Sequence, residues 1–311
     1  MPQWAGSSWY FLRYLDPTNQ AVFAAKDKLR YWGQVDWYNG GMEHVTRHLI
    51  YSRFWNLFLH EIGEAVHAEP YKKRTAQGLI LGEDGEKMSK SRGNVIDPME
   101  IIASDGADTL RTYILFIGDY EMPTPWNENG VRGCRRFLDK LWRLYPKVKP
   151  GMHYSTKLEN LIHKTIKGVS EDLENLKFNT AIAKMMTLVN EYSLQDDITR
   201  GEYQLLLKLL SPIASHLCEE LWHMLGNTTY LVEEGWPTYD PEKLMEDMIE
   251  IVINVNGKVR DKLVVPYDSS DEVLSEQARS LPKIQEWIKG KEIKKVIVIR
   301  NKLVNFVVQQ D

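Results

Sequence analysis

Two lysines in a glycine-flanked segment are the residues whose type and spacing most directly indicate chemistry. Lys87 and Lys90 enclose Met88 and Ser89 in the stretch GEDGEKMSKSRGN. Glycines beside a charged segment favour a loop that can change conformation. Lysine carries a compact positive charge on a long stem, which suits it to phosphate oxygens. The segment therefore predicts a loop that stabilises the charge developing on a polyphosphate as it breaks. From the residues alone, a solvated basic surface loop or a phosphorylation target is the alternative.

A second group of polar side chains lies in GGMEHVTRH, which follows a short predicted strand at 35–41. The glycines lead into a helix start, where free N–H groups favour anionic or polar ligand groups. Glu43, near the carboxyl end of that strand, can bind ribose hydroxyls. His44 and His48 are four residues apart, share one side of the helix and can line a substrate pocket. A metal site is one alternative, although no third ligand is evident. The other alternative is that the two histidines have a structural role and form hydrogen bonds with neighbouring residues.

The elements that must position these residues alternate between strand and helix over residues 1–125. An amphipathic helix is predicted from about Met42 to Ile62, and a short strand over Gly78–Leu81 leads into the lysine loop. Asp97 is suited to cap a helix that begins at Pro98. Another helix is expected to end near Gly118. This alternation predicts half of a doubly wound parallel sheet, an α/β partial Rossmann core.

Two further domains are predicted after this α/β part. Residues 126–248 have apolar residues at helical spacing and predict a bundle of four or five antiparallel helices. The stretch Glu233–Glu250, with seven acids and one lysine, is interpreted as a linker with few contacts. Residues 249–311 predict a small α+β domain. It has a hairpin at Asn256-Gly257, a helix over Glu272–Arg279 or as far as Ile288, and a second strand pair.

The composition describes a globular chain with ample core: 43% of its 311 residues are hydrophobic and 26% are charged. A net charge of −4 gives no overall sign of nucleic acid, so any RNA surface must be local. Cys134 and Cys218 have no nearby cysteine partner and are interpreted as reduced, and no apolar run is long enough to span a bilayer. We therefore expect a cytoplasmic location and no membrane partner.

Local basic patches are the candidates for RNA contact. Val131–Lys149 carries seven Lys or Arg and one Asp. Pro282–Lys302 carries seven Lys or Arg and two Glu. Such patches give sequence-independent affinity for phosphates, although a solvated helix face is the alternative for each. The candidate RNA-binding residues in the two patches are Arg132, Arg135, Arg136, Arg143, Lys294 and Lys295.

Several blocks of the chain together resemble one family. KMSKS is the second signature of class I aminoacyl-tRNA synthetases. Nearly the whole chain resembles the C-terminal portion of bacterial-type leucyl-tRNA synthetases, starting after the editing domain. The blocks that carry the resemblance are MPQWAGSSWYFLRYLDP, VDWYNGGMEHVTRHLIYSRFW, GLILGEDGEKMSKSRGNVIDP, DGADTLRTY, FNTAIAKMM, INVNGKVRDKL and KVIVIRNKLVNFVV.

The resemblance implies an enzyme that joins leucine to ATP, with accompanying Mg²⁺, and transfers leucine to tRNA(Leu). It implies that Lys87 and Lys90 are catalytic and contact the ATP phosphates, together with Met88 and Ser89. The other residues implied in ATP binding are Gly41 and Glu43 at the ribose and the backbone around Leu79 and Ile80 at the adenine. His44 and His48 would bind leucine, Ser7, Ser8 and Trp9 would close the substrate side, and no metal-binding residue is implied.

One family signature is not found in the sequence. No two histidines lie three residues apart, so the His-x-Gly-His motif of the first half of a class I core is absent from these 311 residues. We therefore expect the chain to be inactive alone and to have the N-terminal half that carries this motif as a partner. The alternatives are a non-catalytic tRNA-binding module and a synthetase fragment for isoleucine, valine or methionine.

Overall fold

The structure, a computed structural model, describes residues 4–244, 248–267 and 269–309, without the side chain of Met248. The described residues form two compact units. The first comprises the chain up to Lys149 together with Gly168–Gly235, and the second comprises Pro150–Lys167 together with the chain from Trp236 onward. The domain division predicted from changes in periodicity, at residues 125 and 248, remains a prediction.

The first unit begins with an α/β region that has two short parallel strand pairs. Strand β1 pairs with β2, and β3 pairs with β4. The parallel pairing predicted from the alternation is therefore present, as two separate two-residue ladders. The elements are α1 (Tyr10–Arg13), α2 (Lys26–Trp32), β1 (Tyr38–Asn39), α3 (Ile50–Glu61), β2 (Arg74–Thr75), β3 (Ile80–Leu81), α4 (Pro98–Asp105), α5 (Ala107–Phe116) and β4 (Thr124–Pro125).

The helix predicted from Met42 to Ile62 is a succession of three helical types. A 3₁₀ turn (Met42–His44) and a π-helical segment (Val45–Leu49) precede α3. Leu49 and Leu59 are buried, but the other buried positions are polar, and the apolar Phe54 and Phe58 are 64% and 43% exposed.

The buried side of α3 also carries polar residues. Ser52 and Asn56 are buried. Tyr71 donates its hydroxyl proton to Ser52 Oγ at 2.8 Å, and Asn56 Nδ2 donates to the carbonyls of His67 and Ala68 at 2.8 and 2.7 Å. These bonds satisfy the polar groups and allow a polar face to pack inward, which an apolar pattern alone does not predict.

The predicted cap of α4 is confirmed. Asp97 Oδ1 accepts a hydrogen bond from Met99 N at 2.8 Å, and Pro98 occupies the first helical position. The cap satisfies one of the free N–H groups at the helix start. It therefore fixes the point at which the lysine loop ends.

Within its described residues, the predicted helical region contains five α-helices. They are α6 (Glu128–Leu144), α7 (Glu159–Glu174), α8 (Phe178–Ser193), α9 (Arg200–Leu210) and α10 (Ser215–Met224), with a short parallel pair of β5 (Val148–Lys149) and β6 (Ile198–Thr199). Helix α6 buries one apolar side that includes Phe137, Leu141 and Leu144. Helix α9 starts at a capping box formed by Thr199 and Glu202. The break between α9 and α10 falls at Ser211-Pro212, where proline cannot continue a helix.

The acidic stretch interpreted as a linker makes contacts that the sequence did not predict. In the second unit, Asp240 N donates to His163 Nδ1 at 3.0 Å, Asn160 Nδ2 donates to the Lys243 carbonyl at 2.9 Å, and Lys243 pairs with Glu159 at 3.0 Å. Residues 240–243 are thus held by the start of α7, and the expectation of few contacts was wrong for this part. Residues 245–247 lie outside the described residues.

The C-terminal α+β module confirms the predicted hairpin and second strand pair. It contains β7 (Met248–Val255), β8 (Lys258–Pro266), α11 (Asp271–Ser280), α12 (Pro282–Ile288), β9 (Ile293–Ile299) and β10 (Leu303–Val308). The sheet order is β8-β7-β10-β9, with β7 parallel to β10 and both outer pairs antiparallel. Its core includes Ile251, Val265, Ile284 and Phe306. The predicted helix is interrupted at Leu281-Pro282.

None of the helices in the described ranges combines the length and the apolar character needed to cross a membrane.

Candidate active site

The lysine loop connects β3 to α4 and is built on two tight turns. In the first, Gly82 N donates to the Glu86 carbonyl at 2.8 Å, and Gly85 has a φ of 75°, which favours glycine. In the second, Arg92 N and Gly93 N donate to the Ser89 carbonyl at 3.0 and 3.2 Å. Lys87 lies between the two turns, and Lys90 lies within the second turn.

The two lysines are exposed, and their ammonium groups have no acidic partner within 4.0 Å among the described residues. The only other cation of the segment, Arg92, pairs with Glu86 at 2.9 Å. Met88, by contrast, is half-buried against the apolar cluster that contains Tyr113 and Trp126. Met88 therefore anchors the loop, and the two free ammonium groups remain available to an anion.

A cavity of about 320 Å³ lies beside the Gly40-Gly41 turn. Gly41, His44 and His48, three of the residues predicted from the sequence, line it. Of the remaining walls, Tyr38, Asn39, Gly40 and Leu49 are neighbours of these residues in the sequence, whereas Trp4, Ser7, Tyr10 and Arg74 come from distant segments. The structure thus brings the predicted histidines into one concave site with aromatic walls, a typical setting for a small ligand.

A chain of hydrogen bonds runs through the back of this cavity, from Tyr10 to His48. The hydroxyls of Tyr10 and Tyr38 are 2.8 Å apart, and the Tyr38 hydroxyl is 2.6 Å from His48 Nε2. Tyr38 also stacks on Tyr71, with ring centroids 4.2 Å apart. Burial, and then the bond to Tyr10, raises the pKa of Tyr38, so Tyr38 stays protonated. Burial, and then the nearby His44, lowers the pKa of His48, which favours a neutral imidazole.

Three buried polar atoms in the walls of the cavity lack hydrogen-bond partners among the described residues. They are Nδ1 of His44, Nδ1 of His48 and Nε of Arg74. The other end of Arg74 is fixed, because its Nη2 donates to the Gly41 carbonyl at 3.2 Å. Unpaired buried polar groups are rare and costly, so these atoms are suited to meet the polar part of a ligand.

Leu79 and Ile80 line a second cavity, of about 380 Å³, and Asn39 lines both cavities. The carbonyl of Leu79 accepts a hydrogen bond from Thr124 N at 3.0 Å, and that of Leu81 accepts one from Trp126 N at 3.0 Å. Because alternate residues of a strand direct their backbone groups to opposite edges, the N–H and C=O of Ile80 face away from β4. Of the two predicted residues, Ile80 thus offers the freer backbone.

The remaining predicted residues of the α/β region lie around these cavities. Glu43 is exposed and lines neither, but its carboxylate lies directly against Gly41, where an added Cβ would come within 2.4 Å of Oε2. Ser7 lines the first cavity, whereas Ser8 is buried with its Oγ bonded to the Trp4 carbonyl at 2.6 Å. Trp9 packs edge-on against Phe23. Lys87 and Lys90 line neither cavity.

Sequence reasoning missed several residues of the first cavity, above all Tyr10, Tyr38 and Arg74. Tyr38 lies in β1, two residues before the glycine turn, and the rule that ligands bind at the carboxyl ends of parallel strands could have identified it. Tyr10 and Arg74 carry no such signal, because only the folded chain brings them to the site. In the described parts of the chain, no three His, Cys, Asp or Glu side chains form a metal-binding group.

The candidate tRNA-binding residues of α6 differ in whether they form ion pairs with acidic residues. Arg132 pairs with Glu128 at 3.5 Å, and Arg135 pairs with Asp139 at 3.0 Å. Arg136 and Arg143 are exposed, and within the described ranges no acidic group lies within 4.0 Å of them. Fewer arginines of α6 are therefore free of acidic partners than the number of basic residues in its sequence suggested.

The candidates in the second unit lie on an outer strand. Lys294 and Lys295 are exposed on β9, which is paired on one edge only. The sequence did not single out Arg260, whose guanidinium lies 3.4 Å from the ring centroid of the 43% exposed Trp287. A cation on an indole face is a stable surface arrangement, and a planar base could extend it.

Two family models match the chain in the order of its domains. The model of tRNA synthetases class I (I, L, M and V) matches residues 45–124, which contain the lysine loop. The model of the anticodon-binding domain of tRNA ligase matches residues 156–275. The chain thus contains part of a class I tRNA synthetase domain with the lysine loop, followed by part of an anticodon-binding domain.

The more similar relatives are specific for leucine. A leucine–tRNA ligase of Alkaliphilus oremlandii (strain OhILAs) is 50% identical over 309 residues, covering 99% of this chain and 38% of the relative. The crystal structure of Agrobacterium radiobacter K84 agnB2 LeuRS, in a ternary complex with tRNA and LeuAMS, is 29% identical with a TM-score of 0.80, covering 98% of this chain and 42% of that one. The chain belongs to the leucine–tRNA ligase family. It spans about two fifths of the length of these relatives.

A more distant similarity concerns the fold alone. Mycobacterium tuberculosis methionyl-tRNA synthetase, solved with bound methionyl-adenylate, is 15% identical with a TM-score of 0.52 over 72% of this chain and 50% of that one. The resemblance to leucyl-tRNA synthetases predicted from the sequence is confirmed by the leucine-specific relatives.

Proposed function

We propose that this chain supplies the lysine-loop half of a leucine–tRNA ligase active site, together with its tRNA-binding parts. In the complete enzyme, ATP and leucine form leucyl-adenylate, and leucine is then transferred to tRNA(Leu). The observation that carries the proposal is the cavity lined by His44 and His48. Asn39 lines both this cavity and the cavity lined by Leu79 and Ile80. The second cavity lies at β3, the strand that leads into the lysine loop.

The chemistry of the first cavity suits an amino acid with an apolar side chain. Trp4, Tyr10 and Leu49 offer apolar surface, while His44 Nδ1 and Arg74 Nε offer unpaired polar atoms. The hydrogen-bonded Tyr38 and neutral His48 fix the shape of the wall between them. We assign leucine to this cavity, with His44 as a hydrogen-bonding residue and His48 as a residue that shapes the pocket.

ATP is assigned to the adjacent region. The free backbone of Ile80 is suited to adenine, and Glu43 beside Gly41 is suited to ribose hydroxyls. Lys87 and Lys90 would meet the phosphates and stabilise the charge that develops on pyrophosphate as it leaves. Mg²⁺ would accompany ATP as part of the substrate. We also propose a cytoplasmic location, which is supported by two buried, unbonded cysteines.

Leucine-dependent ATP–pyrophosphate exchange tests the proposal. We expect no exchange by the chain alone, because it contains no His-x-Gly-His motif. Exchange should appear when the N-terminal part of the Alkaliphilus oremlandii relative is added as a separate polypeptide. Robust exchange by the chain alone, or none in the mixture, would contradict the proposal.

The same mixture of the two polypeptides tests the catalytic role of Lys90. Lys90→Ala should lower kcat by roughly 10²-fold or more and raise the KM for ATP less, since the contact strengthens in the transition state. Lys289→Ala, a change of another exposed lysine, is the matched control. Equal rates for the two variants would remove Lys90 from the mechanism.

A non-catalytic tRNA-binding module is the second candidate, favoured by the match of residues 156–275 to an anticodon-binding domain. Both candidates predict salt-sensitive binding of tRNA. Only the first predicts that the mixture of the two polypeptides aminoacylates tRNA(Leu), so aminoacylation distinguishes them.

A further inference from the structure

The side chain of Asn94 bridges the two turns of the lysine loop. Its Nδ2 donates to both carboxylate oxygens of Asp84, at 3.2 and 3.1 Å, and weakly to the Lys87 carbonyl at 3.4 Å. Its Oδ1 accepts a hydrogen bond from Ser89 N at 2.8 Å. One amide group thus joins the turn before the lysines to the backbone between them, and uses both of its donors and its acceptor.

Asp84 forms the other half of this bridge. Its Oδ1 also accepts a hydrogen bond from Glu86 N at 3.0 Å, which closes the first turn. The bond to Glu86 N, and then the bond to Asn94, lowers the pKa of Asp84, so the carboxylate remains charged.

The packing around Gly82 leaves little room for the bridge to move. A Cβ added at Gly82 would lie 2.6 Å from Asp84 Oδ1 and 2.9 Å from Asn94 Nδ2. The amide and the carboxylate therefore rest directly on the backbone at the end of β3. Loop, bridge and strand form one connected structure.

We propose that Asn94 is a positioning residue that, through Asp84, holds the segment Asp84–Asn94 in one internal conformation. It touches no substrate itself. By fixing the Ser89 N–H and the Lys87 carbonyl, it restrains the backbone on both sides of Met88 and so limits where Lys87 and Lys90 can reach. Preorganised charges stabilise a transition state better than charges that must first be ordered.

The proposal rests on the proposed function only for its catalytic consequence. The restraint is a property of this chain and can be measured without ATP or a partner. Trypsin cleaves after Lys87, Lys90 and Arg92, and the rate of cleavage reports how often the loop leaves its held conformation.

Limited proteolysis of a set of variants tests the restraint. We expect Asn94→Ala to raise cleavage at these three sites by about ten-fold, the effect of losing a small hydrogen-bond network. Asn94→Asp should do the same, because it removes the donors and sets a second carboxylate against Asp84. Asn175→Ala, which removes another exposed asparagine bonded to a backbone carbonyl, is the matched control.

A double variant in which the side chains at positions 84 and 94 are exchanged gives the decisive comparison. In the double variant Asp84→Asn with Asn94→Asp, the new amide can donate to the new carboxylate, which still accepts from Ser89 N. We expect its cleavage rate to return to within about two-fold of the parent, a coupling that separates a specific bridge from general loosening. An unrestored rate in the double variant, or a parental rate in Asn94→Ala, would overturn the proposal. The thermal midpoint of each variant shows whether the fold itself is affected.

The mixture with the N-terminal polypeptide then tests the catalytic consequence. Asn94→Ala should lower kcat for pyrophosphate exchange by about ten-fold while the KM for ATP stays within about two-fold, and the exchanged pair should restore kcat. An unchanged kcat in Asn94→Ala would refute the positioning role. If the parent mixture shows no exchange, the proposed function fails, but the proteolysis result still decides whether the bridge restrains the loop.

Discussion

At the scale of single residues, the site depends on side chains whose protonation is set by their surroundings. His48 is buried, is bonded to Tyr38 through Nε2, and has its pKa lowered by burial and by His44. A neutral imidazole beside a protonated tyrosine gives a wall without net charge. Such a wall suits an apolar side chain, and a charged histidine would not.

This protonation predicts how stability depends on pH. The unfolded histidine has an ordinary pKa of 6.5 and takes up a proton below that pH, whereas the folded His48 resists it because its pKa is lower. The contribution of His48 is therefore fully present above pH 6.5 and is lost as the pH falls from 6.5 toward the lowered pKa, with a slope of at most about 1.4 kcal/mol per pH unit.

The measurement compares variants at two pH values. His48→Gln, whose amide oxygen can accept from Tyr38, should lose less stability than the parent between pH 7.5 and 5.5 in urea unfolding followed by fluorescence. The exposed His67→Gln should behave like the parent. The same pH dependence in all three proteins would show that His48 is not the group responsible.

At the scale of elements, the segments that lead into β3 and β4 approach each other so closely that one position must be glycine. A Cβ at Gly78 would lie 2.1 Å from the Met122 carbonyl oxygen and 2.3 Å from its carbon, both of them backbone atoms. Gly78 N also donates to the Tyr120 carbonyl at 2.8 Å. This approach fixes the strand from which the lysine loop departs.

Gly78→Ala should therefore separate the two strands. We expect a loss of about 1–3 kcal/mol, the usual cost of overpacking, and faster amide hydrogen exchange in peptides that cover β3 and β4. Gly6→Ala is the control, since a Cβ there would meet no atom within 4 Å. Unchanged exchange in Gly78→Ala would mean that the strands are not held this closely in solution.

At the scale of the whole molecule, charge is distributed locally against a slightly acidic background. The net charge is −4, but the outward side of α6 carries Arg136 and Arg143 without acidic partners in the described part of the chain. Arg132 and Arg135 on the same helix are paired with Glu128 and Asp139. Free arginines can release counterions from phosphates on binding, whereas paired ones must first give up their partners.

This difference predicts unequal effects on tRNA binding. Arg136→Ala with Arg143→Ala should reduce the slope of log affinity against log salt concentration by about two, if each arginine contacts one phosphate. Arg132→Ala with Arg135→Ala should change it less. Filter binding of tRNA(Leu) over a range of salt concentrations measures both, and equal slopes for the two double variants would contradict the assignment of the RNA surface to the unpaired arginines.

The sequence by itself determined the family and much of the local structure. Lys87-Met88-Ser89-Lys90-Ser91, the glycine turn before Glu43 and His44, the Asp97 cap and the Asn256-Gly257 hairpin all depend on residues that are close together in the chain. Such local features can be predicted without knowledge of the fold, because turn, cap and loop preferences act over a few residues.

Only the tertiary structure decided which surfaces meet. It placed Tyr10 and Arg74 beside His48, turned the polar Ser52 and Asn56 of α3 inward while Phe54 and Phe58 stayed exposed, and tied residues 240–243 to α7. It also paired two of the candidate arginines with acids. These outcomes depend on contacts between distant segments, and their energies come from burial and hydrogen bonding that periodicity along the chain does not encode.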